Sequence, residues 1–163
     1  MYRRILVPLD GSTLAEAALP HAIGSARCFG SSITLLQVAT PITVATAIDP
    51  LTATGADTAL AMESVDASEQ AAAEYLAQVA RRPEFQGIQV QTEVVRGSAA
   101  PEIVRRARAG DVDLIAMSTH GRTGLGRIVF GSVADQVLRE AGLPILLIRP
   151  RMKDESPKEK LAQ

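Results

Sequence analysis

The stretch Arg4-Ile5-Leu6-Val7-Pro8-Leu9-Asp10-Gly11-Ser12 decides the fold of this chain. Its residues up to Leu9 form a short apolar run, which is typical of a strand buried on both faces of a sheet. Asp10, Gly11 and Ser12 then supply turn residues and side chains that can cap the first amides of a helix. The stretch therefore predicts a strand that passes directly into a helix, the repeating unit of a parallel α/β protein.

Four further short apolar runs follow along the chain, with stretches of helical spacing between them. Near-continuous apolar character in most of the runs indicates burial on both faces, as in a parallel sheet. The chain has 163 residues, the usual length of one domain. We expect five strands, at Arg4 to Leu9, Ser32 to Val38, Ile88 to Val95, Asp113 to Met117 and Pro144 to Ile148.

Apolar stripes with a helical period predict four helices. The first runs from Thr13 to Gly30, with Thr13 and Glu16 at the spacing of a capping box and a kink at Pro20. The other three are expected at Glu63 to Arg82, at Pro101 to Ala109 opened near Ser98, and at Ser132 to Glu140. The last helix should turn five apolar residues inward: Val133, Ala134, Val137, Leu138 and Ala141. With right-handed crossovers and helices on both faces, the expected fold is a single-domain doubly wound α/β sheet.

Composition argues against several classes of partner. Lys and Arg number 17 against 18 for Asp and Glu, so the net charge of -1 provides no field that would hold nucleic acid or anionic lipid. Aromatic residues make up only 3% of the chain and Trp is absent, which removes the stacking platforms that single-stranded nucleic acid requires. We therefore expect no nucleic-acid partner.

The location of the protein is inferred from Cys28 and from two apolar runs. Cys28 is the only cysteine, which favours a reducing compartment, and its place near an apolar helix face predicts a core residue. The first apolar run ends at Asp10, too early for a signal peptide, and the stretch from Ile33 to Ile48 is too polar for a membrane helix. We expect a cytoplasmic protein without membrane insertion.

Two segments do not fit the alternation of strands and helices. The stretch from Ala39 to Leu60 is long and rich in Thr and Ala, which predicts either a mobile flap or a partner surface. The segment from Pro150 to Gln163 contains two prolines and mixed charges, which predicts a flexible charged tail. The expected organisation is therefore one domain at 1–149 followed by a tail at 150–163.

A candidate phosphate site lies between the fourth strand and the last helix, from Met117 to Val133. Glycines there allow backbone amides to approach a ligand, and Ser132 begins a helix whose dipole favours anions. The alternative is a flexible surface loop with solvated arginines. The segment holds four glycines and two arginines that suit phosphate: Gly121, Gly124, Gly126, Gly131, Arg122 and Arg127.

Two common phosphate motifs do not fit this segment. Gly126 and Gly131 have Walker spacing, but Ser132 and Val133 follow where Lys-Ser or Lys-Thr is required, so no P-loop NTPase is indicated. A dinucleotide fingerprint would follow the first strand and would place a third glycine at Val129, so a Rossmann dehydrogenase is not indicated either.

The two candidate segments together resemble the universal stress protein family. Val7-Pro8-Leu9-Asp10-Gly11-Ser12 and His120-Gly121-Arg122, nine residues before Gly131-Ser132-Val133, carry the resemblance, which spans Arg3 to Arg149. It implies a Rossmann-like, adenine nucleotide alpha hydrolase-like fold with strand order 3-2-1-4-5. The ATP-binding branch of that family has Gly-x-x-Gly, nine residues, then Gly-Ser or Gly-Thr; here Ser118 replaces the first glycine, and the other branch does not bind ATP.

The resemblance implies a ligand and its contacts. ATP, or AMP or ADP, is the expected ligand, with Mg²⁺ as an optional companion. Its adenine and ribose end would meet Pro8, Leu9, Asp10, Val38 and Met117. Its ribose and phosphates would meet Ser118, His120, Gly121, Arg122, Gly124, Arg127, Gly131, Ser132 and Val133.

Three functions remain open at this point. The first is a cytoplasmic stress-response regulator that holds ATP and changes its affinity for an unknown protein partner. The second is an ATP-independent stress protein that acts by dimerisation alone, and the third is a slow ATP-hydrolysing enzyme. We name no catalytic residue and no metal ligand, because His120 has no neighbouring carboxylate and is expected to shape the turn. A homodimer through the exposed edge of the fifth strand, Pro144 to Ile148, is expected in the first two cases.

Overall fold

The computed structural model describes residues 1–40, 55–119 and 131–150, with residues 55–65 described by their backbone alone. Residues 41–54, from the stretch predicted to be a flap or partner surface, and residues 151–163, from the predicted flexible tail, lie outside the described residues. In chain order the elements are β1 (Arg4–Leu9), α1 (Thr13–Glu16), α2 (Leu19–Phe29), β2 (Ser32–Ala39), α3 (Gly55–Ala80), β3 (Val90–Arg96), α4 (Ala99–Ala107), β4 (Leu114–Ser118), α5 (Ser132–Glu140) and β5 (Ile145–Ile148).

The strands form one sheet in the order β3-β2-β1-β4-β5, and every neighbouring pair is parallel. The predicted five strands, parallel arrangement and 3-2-1-4-5 order are confirmed. Central β1 and β4 are almost wholly buried, whereas β3 at one edge is half-buried or exposed along its length. The order reverses direction at β1, and this topological switch is where open α/β sheets bind ligands.

Helices cover both faces of the sheet, as predicted. One core contains Ile5, Val7 and Leu9 of β1 and packs against α1, α2 and α3. The other contains Leu6 of β1 and packs against α4 and α5. Because successive residues of a strand point to opposite faces, a single strand supplies both cores, which explains its unbroken apolar run.

The helix predicted from Thr13 to Gly30 is two helices, so the prediction of one kinked helix is wrong. The second begins at Leu19 and Pro20 lies in its first turn, where a backbone N–H has no intrahelical partner and proline is tolerated. The prediction that Thr13 and Glu16 form a capping box is also wrong. The cap of α1 is Ser12, whose Oγ accepts from the amide of Ala15 at 3.1 Å, and Glu16 bonds elsewhere.

Three other expectations need correction. Cys28 is exposed and Leu138 is 47% exposed, although both were expected inside. Leu138 flanks the apolar stripe of α5, and a periodic pattern does not fix how far the covering surface extends. Cys28 lies nine residues after buried Leu19, which at about 100° per residue places it on the opposite side of α2. The connection predicted through Leu60 is too long, because α3 begins at Gly55.

An ion-pair network joins α4 and β3 to the amino end of β1. Arg106 of α4 bonds Glu93 of β3 at 2.6 Å and Asp111 at 2.5 Å, and Asp111 also pairs with Arg4 at 3.0 Å. Beside it, Asp113 accepts the amides of Arg3 and Arg4 at 2.8 and 3.0 Å. Within the described part of the chain, no helix has the length and apolar character needed to cross a membrane.

Candidate functional site

A crevice opens between the carboxyl ends of β1 and β4. The two strands pair at Ile5 with Leu114 and at Leu6 with Ile115, yet β1 continues to Leu9 and β4 to Ser118. By contrast, β1 and β2 stay paired as far as Leu9 and Gln37. The end of the β1–β4 ladder separates the loops that follow these strands, which is the geometry expected at a topological switch.

The β1 side of the crevice is a compact turn that carries a carboxylate. Asp10 is half-buried, and its Oδ1 accepts the amide of Ser12 at 2.9 Å. Gly11 between them has φ of 81°, a left-handed conformation that glycine adopts without strain. Ser12 in turn caps α1 through Ala15. The helix-capping role predicted for Asp10 or Ser12 is filled by Ser12. Asp10 instead closes the turn before the helix, and this bond fixes its carboxylate at the strand end.

The β4 side is built from backbone groups. Ser118 and Thr119 are buried, and the Thr119 amide donates to the Ile148 carbonyl at 2.8 Å. The Thr119 carbonyl accepts the amide of Gly131 at 2.9 Å, which joins the start of α5 to the end of β4. A Cβ at Gly131 would lie 3.1 Å from that carbonyl oxygen. Any side chain at 131 would therefore require a shift of a few tenths of an ångström between this residue and Thr119. The φ of Gly131, -55°, does not itself favour glycine.

The first turn of α5 begins where Gly131 meets the Thr119 carbonyl. Gly131 is its N-cap residue and supplies no side-chain hydrogen bond, so among the described residues no side chain caps the first amides of the helix, at Ser132 and Val133. Such amides, together with the helix dipole, bind anions such as phosphate. The cradle of glycine and uncapped amides fits the phosphate end of a nucleotide.

The predicted site residues fall into two groups. Pro8, Leu9 and Met117 are buried at the strand ends, and Val38 of β2 is half-buried against the core that α4 and α5 cover. With Asp10, Ser118, Gly131, Ser132 and Val133 they lie on elements that meet at this edge of the sheet. The predicted residues His120, Gly121, Arg122, Gly124 and Arg127 lie outside the described residues.

Ser118, which stands where a glycine was expected, is an ordinary strand residue. It pairs with Ile148 in the β4–β5 ladder, and among the described residues only glycines have positive φ. The serine therefore causes no left-handed backbone strain in the site.

We expect Ser118→Gly to leave the affinity for AMP within about threefold, because the substitution relieves no strained conformation. The same change should lower the free energy of unfolding by roughly 0.5–1 kcal/mol, since glycine in a strand has more freedom to lose on folding. Calorimetric titration and urea denaturation measure the two effects. A tenfold gain in affinity would show that the serine obstructs the site.

Several residues around the site could not have been found from the sequence. The Thr119 carbonyl acts through its backbone, which no side-chain motif reports. Glu16 binds Arg82 and Tyr75 across the fold, although its sequence position suggested only a cap. Gln37 lies beside Leu9, and its Oε1 is buried without a hydrogen-bond partner among the described residues. The only signal of Gln37 in the sequence is a polar amide between the apolar residues Leu36 and Val38.

Comparison with known proteins bears on this geometry. Residues 1–149 match the sequence model of the universal stress protein family. The chain belongs to this family. The universal stress protein MJ0531 of Methanocaldococcus jannaschii is 32% identical over 154 residues, covering 94% of this chain and 86% of that protein. The solved structure of hypothetical protein MJ0577, from the same archaeon, has a TM-score of 0.79 at 27% identity and covers 94% of this chain and 99% of its own.

Some universal stress proteins of the same fold have been solved with adenine nucleotides. The Archaeoglobus fulgidus protein in complex with dAMP is 21% identical, with a TM-score of 0.52 and coverage of 90% and 97%. The Arabidopsis thaliana protein with AMP bound is 18% identical, with a TM-score of 0.55 and coverage of 96% and 97%. A further family member in complex with cAMP is 18% identical, with a TM-score of 0.54 and coverage of 91% and 97%. At these identities the likeness to this chain is one of fold.

Proposed function

We propose that this universal stress protein holds an adenine nucleotide at the carboxyl ends of β1 and β4 and acts as a regulator whose partner affinity depends on that nucleotide. The observation that carries the proposal is the approach of Gly131 to the Thr119 carbonyl, where a Cβ would stand 3.1 Å from the oxygen. This approach brings the uncapped amides of α5 to the edge of the crevice. The adenine nucleotides held by other members of the family support the ligand class.

Asp10 is the group that would meet the nucleoside. Its carboxylate is fixed by the Ser12 amide at 2.9 Å, so its direction is set before a ligand arrives. A preorganised acceptor of this kind suits ribose hydroxyls or an adenine amine and loses little freedom on binding. ATP with Mg²⁺ is the triphosphate form of the ligand in this proposal, and the cytoplasm is its compartment. The proposed role is binding with at most slow hydrolysis.

We expect one AMP or ATP per chain in calorimetric titration of the purified protein. Asp10→Asn should weaken binding about tenfold or more, because a charge-assisted acceptor is lost. Asp113→Asn is the matched control: its carboxylate also accepts backbone amides, but at the opposite end of the sheet. The absence of any heat with AMP, ADP and ATP at millimolar concentration would favour the ATP-independent reading.

We also propose a homodimer that forms through β5. It is an edge strand, and Ile145, Leu146 and Leu147 remain half-buried in the single chain. An edge with unpaired backbone groups and apolar side chains favours pairing with a second strand. Ile148 is a poor probe of this pairing, since it is only 8% exposed and belongs to the core.

We expect Leu147→Lys to convert a dimer into a monomer, because a lysine on an edge strand opposes strand pairing. Val95→Lys is the matched control, since Val95 packs half-buried against the same core from the opposite edge strand, β3. Light scattering over a concentration series measures the mass of both variants. Dissociation by both substitutions alike, or a monomeric wild type, would contradict dimerisation through β5.

A further inference from the structure

Glu16 ties α1 to the far end of α3. Its two carboxylate oxygens accept from both terminal nitrogens of Arg82, each at 2.8 Å, and Oε1 also accepts from the Tyr75 hydroxyl at 2.9 Å. Fork-to-fork pairing between a guanidinium and a carboxylate is geometrically specific and stronger than a single ion pair. We call these three residues the Glu16 clamp. They lie 59 and 66 residues apart in the chain, so tertiary structure alone unites them.

The clamp is partly shielded from water, and its contacts keep Glu16 ionised and Tyr75 protonated. The side chains of Glu16 and Arg82 are 21% and 36% exposed. The hydrogen bonds from Arg82 lower the pKa of Glu16, so the carboxylate stays ionised at neutral pH. Burial, and then the hydrogen bond to Glu16, raise the pKa of Tyr75, so the phenol remains a donor.

The clamp is close to the candidate site. Along the chain, the Glu16 amide donates to the Ser12 carbonyl at 3.2 Å, and the Ser12 amide donates to Asp10 at 2.9 Å. Residues 10–16 therefore form one hydrogen-bonded unit, with the carboxylate of the site at one end and the clamp at the other.

The helix in this unit cannot hold itself in place. It has four residues, which is far below the length at which a helix is stable by its own hydrogen bonds. Within the part of the chain that the structure describes, the hydrogen bonds of its cap, Ser12, are also local. The position of the unit therefore depends on tertiary contacts. Among the described residues these are the packing of buried Ala15 and the hydrogen bonds of the Glu16 clamp.

We propose that Glu16 is a positioning residue for the nucleotide site: by docking α1 on α3 it holds the turn that presents Asp10. The inference rests on the proposed function, because positioning has a meaning only for a ligand that Asp10 contacts. It extends the site to Tyr75 and Arg82, which need not touch the nucleotide.

Glu16→Ala tests the proposal against Glu69→Ala, which also breaks a carboxylate–arginine pair to α3, here with Arg96 of β3. We expect Glu16→Ala to weaken AMP binding about fivefold, Glu16→Gln to recover part of that loss, and Glu69→Ala to change the affinity less than twofold. In an Asp10→Asn background, the effect of Glu16→Ala should disappear, because the residue acts through Asp10. If Glu16→Ala fails to fold, Tyr75→Phe removes one clamp bond with little change of volume and should weaken AMP binding more than Glu69→Ala.

Hydrogen exchange of the Ser12 amide without ligand gives a second readout. We expect faster exchange in Glu16→Ala and no change in Glu69→Ala. A wild type that binds no AMP would remove the proposed function, and this exchange experiment would still decide whether the clamp holds the turn. Normal AMP affinity in Glu16→Ala, or an equal loss in the Asp10→Asn background, overturns the positioning role while leaving the proposed function intact.

Discussion

Gly131→Val is expected to abolish measurable AMP binding, and Gly131→Ala to weaken it at least about tenfold, or about 1.4 kcal/mol. The Cβ of either side chain would stand 3.1 Å from the Thr119 carbonyl oxygen, inside ordinary van der Waals contact. Because Gly131 also donates its amide to that carbonyl at 2.9 Å, we expect relief of the close contact to shift the start of α5 relative to β4. The amides that would meet the phosphate then move away from the crevice. Calorimetric titration with AMP measures the series.

Gly24 of α2 provides the matched control for this series. No heavy atom lies within 4 Å of a Cβ built there, and the position is within a helix, so Gly24→Ala should stabilise the protein by about 0.5–1 kcal/mol and leave AMP affinity unchanged. Urea denaturation of all three variants separates loss of binding from loss of folding. Full affinity in Gly131→Ala would show that the close approach to Thr119 does not shape the ligand site.

Arg106→Leu is expected to lower the free energy of unfolding by about 1 to 2 kcal/mol at neutral pH. Its side chain is 15% exposed and pairs with Glu93 and Asp111, whose side chains are each about a third exposed, so solvent screening limits the loss. Leucine would leave both carboxylates with one strong partner fewer. Because Arg106, Glu93 and Asp111 are not among the residues proposed to contact the nucleotide, AMP affinity should not change.

The effect of Arg106→Leu should depend on pH in a defined direction. Hydrogen bonds from Arg106 are the largest cause that lowers the pKa of Asp111 below its ordinary 3.8. A lowered folded pKa adds stability that is complete above the ordinary value and is lost as the pH falls through the lowered one. The difference between wild type and Arg106→Leu should therefore shrink on acidification below about pH 4.

Arg105 supplies the control on the same helix. Its side chain is 64% exposed and its ion-pair partner among the described residues is Glu102, a neighbour on α4, so Arg105→Leu should change stability by less than about 0.5 kcal/mol. Urea denaturation between pH 7 and about pH 3 compares the three proteins. Equal losses for both arginines, or a difference that grows with acidification, would contradict the role given to the network.

Much of the fold could be predicted because it depends on local patterns. The apolar run from Arg4 to Leu9 predicts a buried strand without any knowledge of the tertiary structure. The apolar stripe of α2 likewise marks its inner face, and all five predicted residues of that stripe are buried: Ala18, Leu19, Ala22, Ile23 and Ala26. The β1 side of the candidate site could also be predicted from local patterns. Asp10 and Ser12 act on amides two and three residues away, so their roles in the turn follow from sequence spacing.

Other features depend on partners that only the tertiary structure brings together. The sequence showed that Gly131 precedes a helix, but its need for glycine arises from the Thr119 carbonyl on another element. Glu16 has the spacing of a capping residue, yet a fork-shaped bond to Arg82, 66 residues away, outcompetes the local bond. Ser118 stands where the family motif has glycine, and only its place in the β4–β5 ladder shows that its backbone is not strained. Local spacing determines which groups can bond to their own segment, whereas steric approach and long-range pairing depend on how the sheet and helices assemble.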